Sequence, residues 1–218
     1  MKNQNLLPRR RILKTAVAIG GVAVATPVRA ALPPFTPSQV MGPFYPVEKP
    51  LDEDADLTVI AGKSGRAEGR VLHLMGRVLD SRGRPIPGAK VEIWQANTHG
   101  RYTHPADTNP APLDANFEGF GVQVTDSEGR YRFKTIKPGA YPVSESWTRP
   151  PHIHVDVTGR TGRVLSQMYF EDEPLNAVDK LLQSAGNQQA LIAQYQPPSE
   201  DVEPDSLVAV WDIMLPEV

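Results

Sequence analysis

Arg130-Tyr131-Arg132-Phe133-Lys134-Thr135-Ile136 alternates charged residues with aromatic or β-branched ones at a period of two. That pattern marks a β-strand with one face in a core and the other in water. Asp126-Ser127-Glu128-Gly129 precedes it and Lys137-Pro138-Gly139 follows it. Both read as turns, because a short Asp side chain bonds its own backbone and Gly tolerates positive φ. Working outward, Gly121–Thr125 and Lys90–Ala96 alternate in the same way, and Val71–Asp80 forms a further strand. Ser81–Gly88 is rich in Gly, Pro and Arg and turns the chain between two of these strands. Downstream, His152–Val157 and Arg163–Phe170 read as strands, Asn176–Ala185 and Gln188–Tyr195 as short helices, and Leu207–Leu215 as a closing strand. With 22 Pro and 17 Gly spread through 218 residues, the chain is expected to be all-β. A β-sandwich core with long loops and one or two short helices near the C-terminus fits this spacing.

Arg149-Pro150-Pro151-His152-Ile153-His154-Val155 carries the chemistry. Residues at i and i+2 of a strand share a face, so His152 and His154 can reach one metal ion. A bare His-x-His also occurs on ordinary half-exposed strands, and its surroundings are what favour a metal here. Two connections, Asn97–Gly119 and Ala140–Pro151, are long for a sandwich, and long connections tend to carry function. Each holds a tyrosine, Tyr102 and Tyr141. Cysteine is absent, so disulfides and thiolate metal sites are excluded. Tyr102, Tyr141, His152 and His154 therefore make a candidate four-ligand set of hard oxygen and imidazole donors, suited to non-haem Fe(III). Such a centre leaves room for two adjacent hydroxyls of an aromatic diol.

From Thr36 onward the sequence resembles the intradiol ring-cleaving dioxygenases, nearest to their protocatechuate 3,4-dioxygenase branch. Thr36–Gln39, Gly42–Pro46, Ile93–Asn97, Gly100–Tyr102, Pro112–Phe117, Thr135–Pro142, Arg149–His154 and Gln167–Phe170 carry the likeness. The resemblance implies that Tyr102, Tyr141, His152 and His154 ligate Fe(III), with Tyr141 the ligand that leaves when substrate chelates. It also implies that Arg149 stabilises charge on the substrate ring and that Gln167 lies near the reacting carbon. The implied reaction takes a catechol-type diol and O2 to a cis,cis-muconate-type diacid. Trp147 and Tyr45 are expected at the substrate pocket, and Trp94 in the core. The branch usually has a tryptophan where Val143 stands, and the loop from Tyr141 to His152 is shorter. A homo-oligomer or a paired related subunit is the implied assembly.

Two other functions fit parts of the chain. Gly76–Lys90 with Asp126–Gly139 resembles transthyretin-like binding modules, which have no use for two loop tyrosines beside His-x-His. A zinc hydrolase would use His152, His154 and a carboxylate, and would leave both tyrosines unexplained.

Residues 1–30 read as a leader. Arg9-Arg10-Arg11-Ile12-Leu13-Lys14 precedes an apolar run from Ala16 to Ala25 and small residues near Ala30. The order resembles twin-arginine signals, which implies export to the periplasm. Removing residues 1–30 leaves 17 basic against 25 acidic residues, which argues against nucleic acid, and nothing in the mature chain is suited to a membrane. Residues 31–68 are expected to form an irregular arm, and 69–218 the β-sandwich dioxygenase domain.

Overall fold

The computed structural model describes residues 35–50, 54–160 and 162–216. The expected leader at 1–30 lies outside the described residues. Eleven strands are seen among them: β1 (Val71–Leu79), β2 (Lys90–Trp94), β3 (Phe120–Val124), β4 (Arg130–Ile136), β5 (Tyr141–Ser144), β6 (Trp147–Arg149), β7 (His152–Thr158), β8 (Arg163–Phe170), β9 (Ile192–Gln196), β10 (Leu207–Val210) and β11 (Ile213–Met214). The all-β expectation holds. Among the described residues helix is confined to 3-10 turns at Pro174–Val178 and Gln189–Leu191 and to the single turn α1 (Lys180–Gln183).

β4 sets Tyr131, Phe133 and Thr135 inward and leaves Arg130 and Arg132 outside, as its alternation requires. It pairs antiparallel with β1 along its whole length, Val71 opposite Ile136 and Arg77 opposite Arg130. The turn ahead of β4 is built by Asp126, whose Oδ1 accepts from the Glu128 and Arg130 amides at 2.9 and 2.8 Å. Gly129 takes φ +71° there, with the Val78 carbonyl only 2.7 Å from where a Cβ would stand. Glycine is required at that point.

The ladders run as one nine-stranded sheet in the order β11-β1-β10-β9-β8-β7-β2-β3, with β4 on the other side of β1. Its two ends meet, since the Arg132 amide on β4 donates to the Gln123 side chain on β3. The sheet is therefore nearly closed, like a barrel. Its interior is filled by Leu72, Leu74, Val91, Ile93, Phe133, Ile153, Val155 and their neighbours, all without solvent contact.

Three expectations change. Gln188–Tyr195 is not a helix: after one 3-10 turn, Ile192–Gln196 runs as β9 between β8 and β10. Its Ala and Leu favour a helix locally, but the gap between those strands offers it backbone hydrogen bonds on both edges. Leu207–Leu215 is broken at Trp211 into β10 and β11, both parallel to β1. The loop before His152 holds a small hairpin, β5 and β6, with Tyr141 opposite Arg149.

Residues 35–50 and 54–68 hold no helix or ladder strand and lie along the sheet. Gln39 donates its amide to the Leu165 carbonyl, Leu57 to Lys134, and Val122 to Asp54. This arm supplies part of the site's wall.

Candidate metal centre and its cavity

The two loop tyrosines are brought together by a close backbone crossing. Gly100, at φ +77°, passes so near the Ala140 carbonyl that a Cβ would stand 2.2 Å from its oxygen. At Gly139 a Cβ would stand 2.4 Å from the Thr98 carbonyl oxygen, and its amide donates to the Asn97 carbonyl at 2.9 Å. Asn97 fixes the other loop, its Oδ1 accepting from the His99 and Arg101 amides. Asp107 holds the Tyr102 amide at 2.7 Å. Tyr102 and Tyr141 thereby come to 5.6 Å between ring centroids at an interplanar angle of 85°.

β7 delivers the histidines. His152 and His154 lie on one face with ring centroids 5.0 Å apart. His152 is 5.4 Å from the Tyr141 ring and His154 6.2 Å from the Tyr102 ring. His154 is stacked on Trp94 at 4.9 Å, and the arm crosses it at Gly42, where a Cβ would meet its ring at 3.1 Å. His152 has Nδ1 at 2.7 Å from the Pro150 carbonyl. Donation there leaves the Nε2 lone pair free to bind a ligand. The four side chains foreseen as a set are all buried, and the fold brings them together.

The electrostatics leave the set neutral. Burial pushes the Tyr102 phenol well above its ordinary value, and the neighbouring Tyr141 adds to this. Burial also raises Tyr141, with Arg149 pulling the other way. Burial and then Arg149 depress His152 to about 3, and burial with His152 and Arg149 holds His154 well below the ordinary imidazole value. Tyr102 Oη and His154 Nδ1 are buried without a hydrogen-bond partner. Orphaned polar atoms cost free energy unless something satisfies them, and a cation between two phenols and two imidazoles would do so. The donor set fits a hard, high-valent ion of the ferric kind. Among the described residues no three His, Cys, Asp or Glu side chains come together to hold a metal, so the zinc reading lacks its carboxylate.

Arg149 is fixed by a buried network that the sequence did not reveal. Its Nε donates to Asp179 Oδ2 at 2.9 Å, and its Nη2 donates to Tyr169 Oη at 2.8 Å and to Asp179 Oδ1 at 3.3 Å. Nη1 lies 3.3 Å from His152 Nε2. Burial alone would lower the guanidinium pKa, but Tyr169 and Asp179 hold it above its ordinary value. Asp179 also caps α1 through the Leu182 amide at 2.8 Å, and Tyr169 Oη donates to Gln39 Oε1 at 3.1 Å. An Asp ahead of Lys180-Leu181-Leu182 has the form of a helix N-cap, which was the available signal for Asp179. Tyr169 faces His152 in the ladder.

A cavity of about 560 Å³ opens beside this cluster, and Phe44, Tyr141, Trp147, Arg149 and His154 are among its lining residues. Trp147 lines this cavity, with the Arg149 and Lys180 cations 5.9 and 5.1 Å from its ring centre. Tyr45 does not line the cavity. Its hydroxyl donates to Glu92 at 3.1 Å and its ring meets Trp94 edge-on at 4.9 Å, so its neighbour Phe44 takes the wall position. Gln167 is fully buried beside His154 in the ladder and is not a lining residue. Its Nε2 donates to the Val40 carbonyl at 2.9 Å and so anchors the arm.

Residues 40–217 match the family model described as Dioxygenase. The chain is 48% identical over 146 residues to a protocatechuate 3,4-dioxygenase beta chain of Burkholderia cepacia, covering 65% of this chain and 62% of that one. It is 30% identical over 173 residues to a hydroxyquinol 1,2-dioxygenase of Rhizobium sp. (strain MTP-10005), covering 73% and 55%. The matches therefore span less than two thirds of either relative's length. Among solved structures, the dioxygenase domain of a dioxygenase carbohydrate-binding protein fusion from Streptomyces sp. SirexAA-E superimposes with a TM-score of 0.64 at 26% identity. That match covers 85% of this chain and all of the other.

Proposed function

The chain belongs to the intradiol dioxygenase family, and on that premise we propose that it opens the ring of a catechol-type diol between the two hydroxylated carbons. Both atoms of one O2 enter the product, a cis,cis-muconate-type diacid. The observation that carries this reading is the buried convergence of Tyr102, Tyr141, His152 and His154 beside a cavity that Arg149 lines.

Non-haem Fe(III) would be held by those four side chains. When bound it supplies a Lewis-acidic centre that draws electron density from a chelated diol. The chain's own residues do the rest. Phe44 and Trp147 give a flat aromatic ring apolar walls and exclude water. Tyr141 lines the cavity while Tyr102 does not, so Tyr141, which would hold the ion as a phenolate, has its Oη placed to take a proton from an incoming hydroxyl. Arg149 is locked by Asp179 and Tyr169, and its fixed cation stabilises negative charge developing on the ring at no cost of reorganisation. Gln167 acts by holding Val40, and with it the arm, against β8.

The strip from β2 to β8 and the strip around β1 serve as the two layers of a sandwich in this reading. Residues 1–30 act as a twin-arginine-type leader that directs the folded protein to the periplasm, and residues 31–68 and 69–218 are the arm and the catalytic domain. Replacing Arg9 and Arg10 by Lys should then retain the protein in the cytoplasm. The active assembly is a homo-oligomer or a pair with a related subunit, which sedimentation of the purified protein would test.

The decisive experiment is a visible spectrum of iron-loaded protein before and after adding catechol without O2. A broad phenolate-to-ferric band that shifts with the diol, followed by O2 uptake and diacid formation, is expected. Iron-loaded protein that stays colourless and leaves the diol intact would overturn the reading.

A further inference from the structure

The described cavity lining holds only two charged side chains, Arg149 and Asp107. Neither offers a ring carboxylate an uncompensated positive charge. Arg149 has Nε and Nη2 taken by Asp179 and Tyr169, and its Nη1 faces His152 Nε2. Its charge is already compensated by a fully buried carboxylate, that of Asp179. Asp107 is itself an anion, fixed in place by the Tyr102 and Asn109 amides at 2.7 and 2.9 Å. Lys180 reaches the Trp147 ring but does not line the cavity. The remaining wall includes Val40, Pro43, Phe44, Val143, Trp147 and Leu181. The short hairpin of β5 and β6 places Val143 on that wall, half exposed.

Resting on the reading of this cavity as a diol pocket, we propose that it selects diols whose other ring substituents are uncharged, whether hydrogen, alkyl, halogen or ester, and rejects ring carboxylates. A carboxylate moved out of water into such a wall loses hydration without gaining an uncompensated cation, and Asp107 repels it. A methyl or chlorine of similar size gains from the same burial. The preference is thus set by the lining and is separate from the reaction itself.

The test compares protocatechuate with its methyl ester, which keeps the diol and the size while removing the charge, and with 4-methylcatechol. Turnover by the iron-loaded chain is read as O2 uptake at neutral pH, and affinity for the metal-free protein as quenching of tryptophan fluorescence. The ester and 4-methylcatechol should exceed protocatechuate in kcat/KM by about tenfold or more, and should bind more tightly in the same order. Val143→Lys should narrow the gap between acid and ester, because it adds a cation to the wall. Protocatechuate equal to or better than its ester in both measurements would overturn the inference while leaving the dioxygenase reading intact. Failure of every diol to react would overturn both.

Discussion

Asp179 is expected to carry more of the site's stability than any ligand residue. It is fully buried, pairs with Arg149 through two contacts of 2.9 and 3.3 Å, and caps α1. Asp179→Ala would leave a buried guanidinium without its counter-charge, a loss that costs about 3–5 kcal/mol in comparable buried pairs. For a domain of this size that lowers Tm by about 6–20 °C, taking roughly 2–4 °C per kcal/mol. Asp179→Asn removes the charge but can still accept from the Leu182 amide, so it should be milder by about 1 kcal/mol, the worth of a cap. The double change Arg149→Met with Asp179→Leu removes both charges and should destabilise by clearly less than the two single changes added together. Urea unfolding of the metal-free native chain, both Asp179 variants, the two single changes and the double change measures these differences. A loss below about 1 kcal/mol for Asp179→Ala would refute the reasoning, since an uncompensated buried cation cannot be that cheap. Strict additivity in the double variant would show that the two charges do not depend on each other.

Three further outcomes follow from the site. Tyr102→Phe removes a buried hydroxyl that has no partner, so metal-free stability should hold or rise by up to about 1 kcal/mol while iron affinity and the visible band fall; calorimetry and an iron assay on the same sample check both. Gly100→Ala places a methyl against the Ala140 carbonyl at a positive φ, so it should cost about 2 kcal/mol or more and weaken iron binding by separating the tyrosine loops; unchanged iron affinity would mean that the crossing does not set the ligand geometry. His152 is held at about 3, below the ordinary imidazole value of about 6.5. The unfolded chain therefore binds more protons between those two values, and metal-free stability should be full above about pH 6.5 and decline as pH falls toward 3. His152→Gln should flatten that decline in an unfolding series taken across the window.

The sequence alone was enough for the all-β class, for most strand positions and for the four side chains that converge. Those features rest on local rules: period-two alternation in 130–136, Asp-Gly turn chemistry at 126–129, and the shared face of His152 and His154. Local rules failed where a distant partner decided. Ala190-Leu191-Ile192-Ala193 favours a helix, yet two neighbouring strands offered its backbone a ladder, and part of it became β9. Tyr45 and Phe44 are adjacent aromatics, and only the position of Glu92, far along the chain, decided which of them faces the cavity. Asp179 and Tyr169 reach Arg149 across 30 and 20 residues, a pairing that no spacing rule encodes. Side-chain type and period are written in the chain itself. Which buried charge meets which, and which face borders an open volume, depends on the packing of the whole sheet, because desolvation is a property of the surroundings and not of the residue.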